Sequence, residues 1–402
     1  MKIPLTQGDF CLYSSVDTPK KEKFILILSC SGGAGHLRAA EALHASAPLT
    51  GLPLQTETHD VLDFTSPLFK RLYSESYLAA VDRIPDLWGY FYARSEFARY
   101  EKKGLVKLFD RLNYRRYLRA LERLQPDAIV CTHFLPFISI SNQARAKNLP
   151  PVYAVTTDFD AHSLWVDPLV RRYFVFAEES KWQLQSKGVS GEHITVAGIP
   201  VMPEFSRRVN VRLARMNLAL APGAFTILIL SGGFGTGRVD EIVQTVLSTT
   251  EAIPKRAFNI VVVCGKNRAA MQRVTHLKTP SRIALRVLGF VNNIHELMDA
   301  ANVLVSKSGG LTSAEALAKR LPMLIVDPIP GQESRNADMI VEHGAGWRAI
   351  NLPNLAFKLR TVIDNGAMLR AAHNAAAQLS RPHAAEQILK FVYRDISRGI
   401  HS

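Results

Sequence analysis

The sequence predicts an α/β protein built on two parallel sheets. Three observations carry that prediction. Short apolar runs bounded by Gly or Pro alternate with helical patterns, as strands buried on both faces do. The alternation stops at a basic, Pro-containing stretch around residues 203–223 and then restarts. Gly-rich turns follow three of the apolar runs, where a strand hands over to a helix.

In order along the chain, FILILS (24–29) reads as a buried strand and AAEALHA (39–45) as the helix after it. DAIVCTH (127–133), VYAVTTD (152–158) and RYFVFA (172–177) repeat the strand signal. After the break come TILILSG (226–232), NIVVVCG (259–265), NVLVSKSG (302–309) and PMLIVDP (322–328). The join near 203–223 therefore separates two sheets. No short repeat or low-complexity tract interrupts them.

Composition sets limits on function. The 402 residues are 47% hydrophobic and 21% charged, which excludes disorder, collagen and coiled coil. Net charge is +14, favouring anionic partners such as nucleotides, nucleic acid or an acidic membrane. Residues 206–402 hold most of that excess, with 25 basic and 13 acidic residues, against 24 and 22 in residues 1–205. The four cysteines form no CxxC pair, so a zinc site or disulfide framework is not expected and a reducing, cytoplasmic home fits. The first 20 residues do not read as a secretory signal, and no run approaches the ~20 apolar residues of a spanning helix.

One stretch departs from the alternation. Residues 64–124 carry 13 of the 34 aromatics, and 13 Lys and Arg against 7 acidic residues. Lys107, Arg111, Arg115, Arg119 and Arg123 recur at every fourth position, which puts them on one helix face. Beside the aromatic cluster of Trp88, Tyr90, Phe91 and Tyr92, this reads as a membrane-surface element. A solvated helix covering a core explains the same pattern.

The Gly-rich turns are SGGAGH (31–36), SGGFGTG (231–237) and KSGGLTSAEAL (307–317). Glycines let a backbone approach a phosphate, and a following helix offers free N–H groups and a positive dipole end. No GxGxxG or GxxxxGK[ST] spacing occurs, so a dinucleotide fingerprint and a P-loop are both excluded. His36, at the mouth of a parallel sheet, is a candidate general base; a capping role is the alternative. Glu315 can hold the two hydroxyls of a ribose. Gln332, Glu333 and Asn336 suit sugar hydroxyls, although a plain loop has the same composition. Asp158 and Asp160 look like a metal pair, or like turn residues at a strand end.

Taken together these segments resemble the monogalactosyldiacylglycerol synthases and the processive diacylglycerol glucosyltransferases. The resemblance runs through ILILSCSGGAGHLRAAEAL (25–43), TDFDAHSLWVDPLVRRYFV (157–175), VAGIPVMPEF (196–205), LSGGFGTG (230–237), VVCGKN (262–267), LGFVNNIHELMDAANVLVSKSGGLTSAEAL (288–317) and PIPGQESRNADMIVEHGAG (328–346). It implies a GT-B fold: two Rossmann-like domains with parallel sheets facing a cleft. Residues 1–205 would bind diacylglycerol and the membrane, with 380–402 packing back on them. Residues 206–379 would bind the UDP-sugar.

The resemblance also implies roles. His36 would be the catalytic base, in a loop shaped by Gly33 and Gly35. Gly232 and Gly233 would turn beside the phosphates, Phe290 and Val291 line the uracil, and Gly309, Gly310 and Thr312 start the diphosphate-binding helix. Glu315 would bind ribose, and Gln332, Glu333 and Asn336 the donor sugar and nucleotide. Asp158, His162 and Trp165 belong to the acceptor-side block, with His162 the next candidate base. No cofactor or metal is implied, nor a nucleic-acid partner. The donor would be UDP-galactose or UDP-glucose, the acceptor diacylglycerol, and the site the cytoplasmic face of an anionic membrane, bound peripherally. Phe234 stands where plant galactosyl enzymes of the family carry Glu. Competing expectations are a lipid-linked cell-wall precursor transferase, a UDP-sugar epimerase of the same fold, or a non-catalytic nucleotide-sugar sensor.

Overall fold

The computed structural model describes residues 22–31, 33–66, 70–71, 116–141, 149–231 and 238–398. Two sheets of six parallel strands organise them. The first contains β1 (Lys23–Ser29), β2 (Leu54–Asp60), β3 (Ala128–Cys131), β4 (Val152–Val155), β5 (Val170–Val175) and β6 (Ile194–Val196), in the order β2-β1-β3-β4-β5-β6. The second contains β7 (Phe225–Leu230), β8 (Phe258–Val263), β9 (Ile283–Leu288), β10 (Val303–Ser306), β11 (Met323–Ile325) and β12 (Gly346–Arg348), in the order β12-β11-β10-β7-β8-β9.

The central strands are apolar because helices cover both faces. Ile25, Leu26, Ile27 and Leu28 of β1 are all buried, with Ile25 and Ile27 in one cluster and Leu26 and Leu28 in another. Each sheet reverses its winding once, between β1 and β3 in the first and between β7 and β10 in the second. Ligands of open parallel sheets bind at the carboxyl ends of strands at such reversals. Here those ends lead into the segments carrying His36, residues 132–133, Ser231 and residues 307–310.

Away from the cleft, two features tie the halves together. Helix 384–397 returns to the first sheet, where Ile388, Leu389 and Val392 pack with Ile25, Ile27, Tyr153 and Phe174. Asp395 on that helix accepts from Tyr153 Oη (2.5 Å) and from Arg171 Nε (2.7 Å), and Phe391 lies under the Arg172 guanidinium. The crossing needs Gly198: its φ is +95°, and a Cβ there would sit 2.4 Å from Arg381 Cβ. The second tie is Lys319, whose fully buried ammonium pairs with Asp299 (2.8 Å) and donates to the carbonyls of Glu204 and Arg207 in the connecting segment.

Of the basic stretch, Lys107, Arg111, Arg115, Trp88, Tyr90 and Phe91 lie outside the described residues. Within helical residues 116–124, Arg119 and Arg123 are exposed, while Tyr117 and Leu121 are buried. Among the described residues no helix is long and apolar enough to cross a membrane.

Candidate active site

Chain reversal after β1 delivers His36 to the first turn of helix 34–46. Its Nδ1 lies 3.1 Å from the Thr132 carbonyl and 2.6 Å from Thr157 Oγ1, and Thr132 Oγ1 donates back to the His36 carbonyl (2.9 Å). A carbonyl can only accept, so we assign the proton to Nδ1, shared between the two oxygens. That leaves the lone pair on Nε2. Burial pushes the imidazole down to about 4, only partly offset by the Thr132 carbonyl, so the ring is neutral near pH 7. A neutral ring with a free Nε2 can take a proton.

His133, at the end of β3, meets His36 edge-on with ring centroids 4.6 Å apart. Its Nδ1 accepts from the Leu135 N–H (3.0 Å), which places its proton on Nε2. Burial first, and then the nearby His36, hold its titration well below that of a free imidazole. Sequence reasoning took His133 only as the end of an apolar strand, and it passed over Thr132 and Thr157. The missing signal is topological: β1, β3 and β4 are adjacent in the sheet, so their carboxyl ends converge.

Across from His36, helix 310–318 packs against helix 34–46. The approach is close: a Cβ on Gly310 would lie 2.0 Å from the Thr157 carbonyl oxygen, so only glycine fits. Gly35 faces Leu311, and Gly309 faces Glu333. Glu315 is 7% exposed. Burial raises its carboxyl to about 7, opposed by the Arg38 guanidinium from the facing helix. Thr312 is half-buried on the same helix. Lys307, one strand end away and not singled out from sequence, offsets the burial that raises Glu333.

The TDFD segment meets helix 332–342. Asn336 is fully buried and its amide is spent on protein: Oδ1 accepts from the Phe159 N–H (2.9 Å), and Nδ2 donates to Asp158 Oδ1 (3.1 Å) and the Ser308 carbonyl (3.0 Å). Gln332 Nε2 reaches Asp158 Oδ2 (3.4 Å), and Arg335 pairs with Asp160. Burial lifts Asp158 to about 6, against the pull of Asn336. Thus Asn336 joins the two halves here rather than facing a sugar. Both aspartates are held by amide or guanidinium partners rather than turned to a shared open position. Glu333 accepts from the Ile329 N–H (2.8 Å).

The other expected residues lie in varied surroundings. Trp165, in the expected acceptor-side block, is a buried core aromatic between Phe134 and Phe137. The Nδ1 of His162 accepts from the Leu164 N–H (3.1 Å) at the start of a short 3₁₀ turn. Phe290 is 68% exposed, open for stacking, and Val291 packs on the core of the second sheet. Gly33 precedes the His36 helix in extended backbone, while Gly232 and Gly233 lie outside the described residues.

The family model for monogalactosyldiacylglycerol (MGDG) synthase matches residues 36–201, beginning at His36 itself. The glycosyltransferase family 28 C-terminal domain model matches residues 226–388. The first half of the chain is thus similar to the monogalactosyldiacylglycerol synthases, and the second half to the C-terminal domain of family 28 glycosyltransferases. Relatives include a processive diacylglycerol beta-glucosyltransferase of Bacillus cereus (strain AH187), 29% identical over 92% of this chain and 93% of the relative. Another of the same description, from Bacillus thuringiensis (strain Al Hakam), is 28% identical over 93% of this chain and 94% of its own.

Among solved structures, MurG of Acinetobacter baumannii superposes with a TM-score of 0.59 at 15% identity, over 92% of this chain and 99% of that one. A Staphylococcus aureus MnaA–UDP co-structure gives 0.58 at 14%, over 94% and 98%. A putative UDP-N-acetylglucosamine 2-epimerase from Listeria monocytogenes gives 0.62 at 13%, over 95% and 98%. At these identities the likeness shows the fold alone, the GT-B arrangement of two parallel sheets.

Proposed function

We propose that this protein synthesises glycolipid, transferring a hexose from a UDP-sugar to 1,2-diacylglycerol with inversion at the anomeric carbon. The observation that carries the reading is His36. It is neutral, fixed through Nδ1, and set between the carboxyl end of the first sheet and the glycine-led helix that carries Glu315. In this reading residues 1–205 with 380–402 take the lipid and residues 206–379 take the donor.

The acceptor hydroxyl attacks the anomeric carbon from the face opposite UDP. Its oxygen–carbon bond forms as the carbon–phosphate oxygen bond breaks, through an oxocarbenium-like state. His36 Nε2 takes the hydroxyl proton, and the electron pair leaves on UDP. The N–H groups opening helix 310–318, with Lys307 nearby, stabilise the charge that develops on the diphosphate. Glucose is favoured over galactose by the descriptions of the curated relatives. The chain would work peripherally at the cytoplasmic face of a membrane.

UDP release, followed with and without diacylglycerol, tests the reading. Lipid-dependent release with either hexose supports it. Interconversion of free UDP-sugars without lipid favours an epimerase, and UDP-sugar binding without turnover a sensor.

Two further results are expected. Transfer proceeds unchanged in EDTA, because Asp160 is paired with Arg335 and Asp158 with Asn336. Loss of turnover in EDTA, restored by magnesium or manganese, would reinstate the aspartates as metal ligands. Glu315→Ala weakens UDP binding by the value of a charged hydrogen bond, about 1.5–3 kcal/mol. Because the ionised carboxylate is the better acceptor, wild-type UDP affinity measured by calorimetry rises as pH climbs through about 7, and the alanine variant loses that rise. Equal UDP affinity in the two proteins would remove Glu315 from the donor site.

A further inference from the structure

The segment joining the two sheets presents an unusual surface. Arg207, Arg208, Val209, Asn210, Val211, Arg212 and Leu213 are consecutively exposed, and Met216 follows one turn later. Val209, Val211, Leu213 and Met216 are 38%, 38%, 49% and 58% exposed, four apolar side chains within eight positions. Single exposed apolar residues are ordinary, but a cluster of them flanked by cations is not.

The local fold explains how they come to face outward. Asn210 caps helix 211–217 by accepting from the N–H groups of Arg212 (2.9 Å) and Leu213 (3.4 Å). The inward side of that helix is Ala214 and Leu218, packed in the core beside helix 294–300. Arg215 also turns inward, donating to the carbonyls of Ala300 (2.9 Å) and Pro222 (3.0 Å) and to Asn302 Oδ1 (2.6 Å). With those positions committed inward, Arg212, Leu213 and Met216 are left on the outer face. Lys319 anchors the start of the segment through the carbonyls of Glu204 and Arg207, so the patch is held firmly.

Charge names the occupant. The sequence has no acidic residue between Glu204 and Asp240. Among the described residues none of the Arg207, Arg208 and Arg212 guanidinium groups pairs with a carboxylate, and the nearby Asp299 is taken by Lys319. Aliphatic side chains ringed by unpaired cations match an anionic bilayer, where the alkyl groups enter the headgroup boundary and the guanidiniums meet phosphates.

We infer that residues 207–216 form a membrane-docking surface for anionic lipid, separate from the aromatic and basic stretch at 64–124. The inference rests on the proposed lipid acceptor. Docking through the connector would hold both halves of the chain at the surface that supplies that acceptor.

The test is co-sedimentation of the full chain with vesicles of phosphatidylcholine alone or with phosphatidylglycerol added. Transfer to diacylglycerol in detergent micelles is followed in parallel. Wild type should prefer the anionic vesicles, and salt should weaken binding. Removing two cations (Arg208→Ser with Arg212→Ser) should lower anionic-vesicle affinity roughly 30-fold at low salt. Leu213→Ser with Met216→Ser should lower affinity for both kinds of vesicle. Micellar transfer should match wild type in both variants.

Vesicle binding by both variants equal to wild type overturns the inference while leaving the proposed function standing. A change in oligomeric state by size exclusion, with vesicle binding intact, overturns it in favour of a second copy of the chain. Absence of micellar transfer in the wild type defeats the proposed function instead.

Discussion

Replacing His36 by alanine is expected to lower turnover by roughly 10²–10⁴-fold, the range a positioned general base supplies. UDP affinity should change little, because Glu315 and Phe290 belong to the half built on the second sheet. The pH profile makes the test sharper. The neutral ring is the active form, and burial holds its titration down to about 4. With the UDP-sugar saturating, turnover should therefore stay level from neutrality to about pH 5 and fall only as pH approaches 4. An unperturbed imidazole would bring that fall near 6.5. A loss of UDP binding in His36→Ala, with turnover per bound donor intact, would make His36 a binding residue. His162 would not then inherit the role through Nδ1, which is occupied by the Leu164 N–H.

Lys319→Ala should cost about 3–5 kcal/mol of stability, the usual result of leaving one member of a buried ion pair alone. The ammonium and the Asp299 carboxylate are 0% and 2% exposed, so water cannot replace the lost partner. The carbonyls of Glu204 and Arg207 lose their donor at the same time, loosening the connector. Lys319→Met combined with Asp299→Leu should recover most of the loss, since no charge is then stranded. Denaturant unfolding of the two variants checks both statements. A single variant as stable as wild type would show that the pair contributes nothing.

What the sequence revealed of the fold follows burial. The strands legible as apolar runs, from FILILS to PMLIVDP, are the inner strands of the two sheets. Those not read are β2, β6, β9 and β12, which are the four sheet edges. An edge strand needs no continuous apolar run: β2 is LQTETHD, with Gln55, Glu57 and Thr58 open to solvent, and β6 and β12 have three residues each.

The candidate site divides in the same way. His36 and Glu315 stood out because a titratable group beside a Gly-rich turn is a local signal. His133, Thr132 and Thr157 gave none, since only the β1-β3-β4 adjacency brings them to His36. Asn336 and Trp165 have the right chemistry for a ligand but are buried against protein partners, which composition alone does not reveal.

The most direct test of the central claim is the structure of the lipid product. Purified protein is incubated with 1,2-diacylglycerol and a UDP-hexose of α-anomeric configuration, and the product's anomeric coupling is read by proton NMR. A β-linked hexosyl diacylglycerol, formed in step with UDP and absent with His36→Ala, is the result expected here. An α-linked product, or UDP released equally without lipid, would contradict single displacement onto diacylglycerol.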